Sequence, residues 1–66
     1  MNIILNGEQR KIPDAATAAE LVVFLGIAEQ RIAMEVNLEI VPRSDYANHA
    51  LQEGDRVEVV HAIGGG

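Results

Sequence analysis

The residues best suited to chemistry in this chain are its last six, His61-Ala62-Ile63-Gly64-Gly65-Gly66. Consecutive glycines have no side chains to pack, and each loses more backbone entropy on ordering than any other residue. Gly64, Gly65 and Gly66 are therefore expected to form a flexible tail, free of the fold, ending in the Gly66 carboxylate. The run before them, Val57-Glu58-Val59-Val60-His61-Ala62-Ile63, is apolar and β-branched and reads as a strand. A rigid strand that hands over to a thread without side chains brings a carboxylate within reach of another protein's active site. It can pass where any Cβ would clash. The competing reading is an ordinary frayed terminus or a processing scar.

Elsewhere the side chains offer little chemistry. The chain has no Cys, which excludes disulfides, thiolate metal sites and a cysteine nucleophile within it. His49 and His61 are the only imidazoles and neither has a partner at metal-ligand spacing, so a metal site is not expected. Ser44, Thr17 and Tyr46 have structural explanations, and none pairs with a plausible base, so an enzyme is not expected either. A net charge of −5 argues against nucleic acid and anionic membranes as partners and suits a basic protein surface. Glu53, Asp55 and Glu58 could steer such a partner, or simply keep the protein soluble. Nothing reads as a signal peptide or a membrane span, and a cytoplasmic location is expected.

The elements that must position the tail follow from periodicity and turn chemistry. At 66 residues there is room for one sheet and one helix. Met1 to Asn6 alternates, with Met1, Ile3 and Leu5 on one face and Ile4 on the other. Asn6-Gly7 predicts a tight hairpin, with Gln9 to Ile12 returning antiparallel and Pro13 ending the strand. Thr17 and Glu20 form a capping-box pattern, which predicts a helix over 18–25 with Ala18, Leu21, Val22 and Leu25 on its buried stripe and Gly26 as its stop. The uncharged run Leu21 to Leu25 also has strand character, but both flanking signals favour helix. Val23 and Phe24 then fall partly off the stripe, either as a partner surface or as merely shielded apolar groups. Ile32 to Asn37 and Glu39 to Val41 read as further strands about a turn at Asn37-Leu38-Glu39, with Pro42 closing the second. Ser44 is expected to cap a single turn through Asp45-Tyr46-Ala47, with Leu51 plugging the core. Glu53-Gly54-Asp55 turns the chain into the last strand.

A hairpin, one helix and then more strands imply an α+β layer architecture with the helix on one face of the sheet. If the apolar first and last strands are central neighbours, they run parallel, since the intervening segments supply the crossover. This is the β-grasp, or ubiquitin-like, topology: a mixed sheet of four to five strands and one main helix, spanning 1–63, with 64–66 as the tail. The other face stays open. By alternation it carries Ile4, Val60 and Ala62, which, with Ile63 beside the tail, form the candidate docking patch.

Several segments together carry a resemblance. Met1-Asn2-Ile3-Ile4-Leu5-Asn6-Gly7, Thr17-Ala18-Ala19-Glu20-Leu21, Ile40-Val41-Pro42-Arg43, Glu53-Gly54-Asp55-Arg56-Val57-Glu58 and the closing Val60-His61-Ala62-Ile63-Gly64-Gly65-Gly66 resemble the ThiS family of bacterial thiamine biosynthesis. The resemblance covers essentially the whole chain. It departs at Val23-Phe24, where more polar residues are expected. It implies a sulfur carrier, not an enzyme: an E1-like adenylyltransferase of the ThiF type uses ATP and Mg to activate the Gly66 carboxylate. A sulfur donor, ultimately a cysteine desulfurase, then yields a thiocarboxylate, and a thiazole synthase of the ThiG type takes the sulfur into thiazole. Gly64 and Gly65 would thread into the partners' sites, and ATP and metal would belong to those partners, with no cofactor bound by this chain. The rival readings are the small subunit of molybdopterin synthase, a ubiquitin-like protein modifier that forms isopeptides, and an interaction domain with an idle tail.

Overall fold

Two tight turns with left-handed backbone set the strand pairing at opposite edges of the sheet. The structure, a computed structural model, describes residues 1–61. Strand β1 (Asn2–Leu5) returns as β2 (Glu8–Lys11) through Asn6 and Gly7, whose φ angles are 49° and 83°. Leu5 pairs with Glu8, so this is a two-residue loop whose twist matches that of the strands it joins. At the far edge, β3 (Ile32–Val36) returns as β4 (Glu39–Val41) through Asn37 and Leu38, with φ angles of 52° and 72°. Asn tolerates that region; Leu, with a Cβ, does so only at a cost.

Helix α1 spans Ala18–Phe24 and starts with the expected capping box. The Glu20 amide donates to Thr17 Oγ1 at 3.2 Å, and the Thr17 amide to a Glu20 carboxylate oxygen at 2.9 Å. Leu25 is the C-cap and Gly26 follows with φ of 75°, so the helix closes one residue before the expected end. Ala18, Leu21 and Val22 are buried and Leu25 is half-buried, which settles the segment as a helix.

The sheet order is β2-β1-β5-β3-β4, with β5 (Arg56–His61) at its centre. Strands β1 and β5 are parallel and adjacent, while β3 pairs antiparallel with both β5 and β4. This is the expected β-grasp arrangement. Ile3, Leu5, Met34, Val36, Val41, Val57 and Val59 face the helix, and Ile12, Ala16, Tyr46 and Leu51 close the core from the connections.

Other boundaries also differ from the sequence reading. The return strand is assigned to Glu8–Lys11 rather than 9–12, although Ile12, buried in the core, still donates its amide to the Met1 carbonyl at 2.9 Å. The third strand ends at Val36 because Asn37 already belongs to the turn. Ser44 caps nothing: Arg43–Asn48 is a 3-10 helix with Pro42 at its N-cap and no side-chain cap bond. Proline's fixed φ, here −63°, sets the entry to this helix, and the turn seats Tyr46 in the core. Ala62, Ile63 and the 64–66 tail lie outside the described residues.

Candidate functional site

The candidate site is the strand that leads to the glycines and the sheet face beside it. Strand β5 begins from a turn built by short polar side chains. Gly54 adopts φ of 83° and its amide donates to the Asn2 carbonyl at 2.7 Å. Asp55 carboxylate oxygens accept from the Gln52 amide at 2.9 Å and from Asn37 Nδ2 at 3.1 Å. A Glu53 carboxylate oxygen accepts from the Asn2 amide at 3.0 Å. Both acids thus serve the turn, a local role that the acidic-surface reading did not anticipate.

Carboxamide side chains then pin β5 along its length. Asn37 Oδ1 accepts from the Arg56 amide at 2.9 Å. Beyond the end of β1, the Asn6 side chain acts as a surrogate peptide. Its Oδ1 accepts from the Val59 amide at 2.9 Å and its Nδ2 donates to the Val59 carbonyl at 3.2 Å. Asn6 therefore makes the hairpin turn and also extends the β1–β5 ladder by one peptide. At the end of the described strand, His61 pairs with Ile32 in register, and its imidazole Nε2 contacts Gln30 Oε1.

Val57 and Val59 point into the core, so Arg56, Glu58 and Val60 project from the open face. Val60 pairs with Ala33, Glu58 with Glu35, and Glu35 in turn with Ile40. Val60, Ile40, Ala33, Glu35 and Glu58 line one shallow hollow. Ile4, Leu38, Arg56 and Glu58 line the next. The centre of this face is a pair of carboxylates directly opposite one another and rimmed by apolar side chains. Val60 is 60%, Ile40 75% and Leu38 82% exposed.

On the far side, Val23 and Phe24 are also exposed and form an apolar patch with Pro13 and Ala19. Asp14 sits at the rim of the helix layer. The N-terminal ammonium, 2.7 Å away, holds its carboxyl below the ordinary value, through the hydrogen bond first and the charge second. Among the described residues, no group of three His, Asp or Glu is placed to hold a metal, and no helix is long and apolar enough to cross a membrane.

A sequence model described as the ThiS family matches residues 3–66, a span that includes the three terminal glycines. The chain belongs to the ThiS family. It is similar to the sulfur carrier protein ThiS of Escherichia coli, 32% identical over the full length of both chains. The crystal structure of the thiamine biosynthesis protein ThiS from Geobacter metallireducens superposes with a TM-score of 0.87 at 28% identity, covering 100% of both chains. A thiazole synthase of Paramagnetospirillum magneticum is 44% identical over all 66 residues, but the chain spans only 20% of that protein's length.

The structure places Ile4 and Val60 on the open face, as the alternation of their strands implies, but does not make them neighbours. Ile4 is level with Arg56 and Val60 with Ala33, which separates them by about 13 Å along β5, with Glu58 between. Ile40 and Leu38 fill the gaps and were absent from the sequence-derived patch. The signal for Ile40 was available: Val41 is apolar before a proline, so its neighbour had to face the other way. Ala62, Ile63, Gly64, Gly65 and Gly66 lie outside the described residues.

Proposed function

We propose that this chain carries sulfur as a thiocarboxylate on Gly66, in the cytoplasm, and that the catalytic groups belong to its partners. The observation that carries this reading is a ThiS-family match that runs through Gly66 itself. A carboxylate is a poor electrophile because it already carries charge and its oxide is a poor leaving group. In the proposed sequence, a Gly66 carboxylate oxygen attacks the α-phosphorus of Mg-bound ATP on a ThiF-type adenylyltransferase, and pyrophosphate leaves. The terminal sulfur of a persulfide, charged by a cysteine desulfurase, then attacks the acyl carbon and displaces AMP. A thiol cleaves the resulting S–S bond and frees the thiocarboxylate. A ThiG-type thiazole synthase is the proposed acceptor, supported by the chain's likeness to one-fifth of a thiazole synthase.

The open face is the proposed docking surface. Facing carboxylates at Glu35 and Glu58 repel one another, and Leu38 holds an apolar side chain on a left-handed backbone. A partner offering basic groups ringed by apolar ones would relieve the first and cover the second. Ala62 and Ile63 would extend the contact toward the partner's channel, with Gly64 and Gly65 threaded inside.

The test is intact mass after incubation with the activating enzyme, ATP and a sulfur source, read with and without thiol alkylation. The reading requires an alkylated species that maps to the last peptide and disappears on deletion of Gly65 and Gly66. Gly66→Ala is expected to lower transfer at least tenfold while thermal unfolding stays unchanged. If a control carrier is thiocarboxylated under the same conditions and this chain is not, the proposal fails. Conjugation of the chain to lysines of other proteins would instead mark a modifier.

A further inference from the structure

Asn6 and Asn37 open the two tight turns with nearly the same left-handed backbone, φ 49° and 52°, but the first is followed by Gly7 and the second by Leu38. An asparagine can react with the peptide that follows it. That peptide's nitrogen attacks the side-chain carbonyl carbon Cγ, a C–N bond forms to close a cyclic imide, and the Cγ–Nδ2 bond breaks with release of ammonia. Water then opens the imide at either carbonyl, giving aspartate or, with the main chain rerouted through Cβ and Cγ, isoaspartate. Glycine has no Cβ and leaves the attacking nitrogen uncrowded, whereas the side chain of a leucine shields it. Asn6 and Gly7 are both exposed, so water reaches them.

What stands against the reaction at Asn6 is the seam between β1 and β5. The Asn6 amide donates to the Val57 carbonyl at 2.9 Å, and its carboxamide is bound at both ends to Val59, accepting from the amide at 2.9 Å and donating to the carbonyl at 3.2 Å. Cγ is thereby held against the neighbouring strand. Attack requires Cγ within about 3–3.5 Å of the Gly7 nitrogen and correctly aligned, and the carboxamide must release Val59 to turn there. We infer that Asn6 is a site of spontaneous, irreversible deamidation that the intact seam keeps closed and that each local opening of the seam exposes. The product cannot remake the seam. In aspartate, the group facing the Val59 carbonyl is an acceptor where Nδ2 was a donor. In isoaspartate, the main chain gains a carbon inside a two-residue turn whose register pairs Leu5 with Glu8. A chain altered in either way opens more readily than before.

The experiment incubates the full chain at one mildly alkaline pH, folded in buffer and unfolded in concentrated guanidinium chloride. Samples are digested, and the Asn, Asp and isoAsp forms of each asparagine peptide are separated and identified by mass. In denaturant, Asn6 should convert at least about tenfold faster than Asn37, and in the folded chain at least about tenfold more slowly than in the unfolded one. The slowing should be no smaller than the hydrogen-exchange protection of the Val59 amide, which the same carboxamide holds. Asn6→Asp, which is one of the two products, should lower the melting temperature by about 4–8 °C or prevent folding altogether. Conversion of Asn37 alongside Asn6 in denaturant, or no conversion at Asn6 there, would overturn the site. Equal rates at Asn6 in the folded and unfolded chains, or slowing smaller than the Val59 protection, would overturn the seam as its guard. An Asn6→Asp chain that melts with the wild type would show that the product does remake the seam, and would overturn the stated consequence.

Discussion

The two faces of the sheet are built from the same strands and obey opposite rules. On the covered face, Ile3, Met34 and Val57 are almost wholly removed from water against Leu21 of the helix. One residue along each strand, Ile4, Glu35 and Glu58 stand on the open face, where apolar side chains surround a pair of like charges. Burial explains the first arrangement completely. It does not explain the second, since facing carboxylates and an exposed Leu in left-handed backbone both cost stability. The contrast teaches that the alternation of β5 divides its residues between holding the domain together and forming the face proposed above to meet a partner.

The largest expected effect is on the covered face. Leu21→Ala should lower unfolding free energy by about 3 kcal/mol, measured by chemical denaturation, and at this size that threatens folding itself. Val60→Ser, on the opposite face, should change stability by less than about 0.5 kcal/mol while lowering kcat/KM for activation roughly tenfold, through the loss of apolar contact. A Val60→Ser variant as unstable as Leu21→Ala would erase the distinction between the faces.

Asn6→Ala tests the seam that joins β1 to β5. It strands the Val59 amide and carbonyl next to the core and should cost about 1–3 kcal/mol, visible as a lower melting temperature. Leu38→Gly should act in the other direction. It should stabilise by about 0.5–1 kcal/mol by removing the left-handed strain, net of the added backbone entropy, while weakening partner binding. A Leu38→Gly variant that gains stability without losing affinity would remove Leu38 from the docking surface. The smallest effect is expected at Asp14, on the exposed rim of the covered side. Its folded pKa is depressed, so its contribution is present above the ordinary carboxyl pKa and lost as pH falls through the lowered folded value. Asp14→Asn should flatten that part of an acid titration of stability and leave neutral pH nearly unchanged.

Much of the architecture was readable because its signals are local. Asn6-Gly7 makes a two-residue turn wherever strands flank it, and Thr17 with Glu20 closes a capping box within a single helical turn. The helix won over a strand at Leu21 to Leu25 because its cap and its stop both lie within a few residues. The 3-10 helix was read only as a single Ser44-capped turn because a short run after a proline carries no periodicity, and Tyr46 is buried only by what packs over it. The proposed docking face was only half legible: each strand's alternation assigns a face, but no strand states its register against the next.

From residue types alone follow the strand that leads to Gly66, the helix opposite it and the match to a carrier family, since turns, caps and alternation are set by neighbours in the chain. Only the tertiary structure could decide that Asn6 pairs with Val59, that Glu35 faces Glu58 and that His61 meets Gln30. Those contacts join residues as many as 53 positions apart. Register and packing bring them together, and no local preference encodes either one.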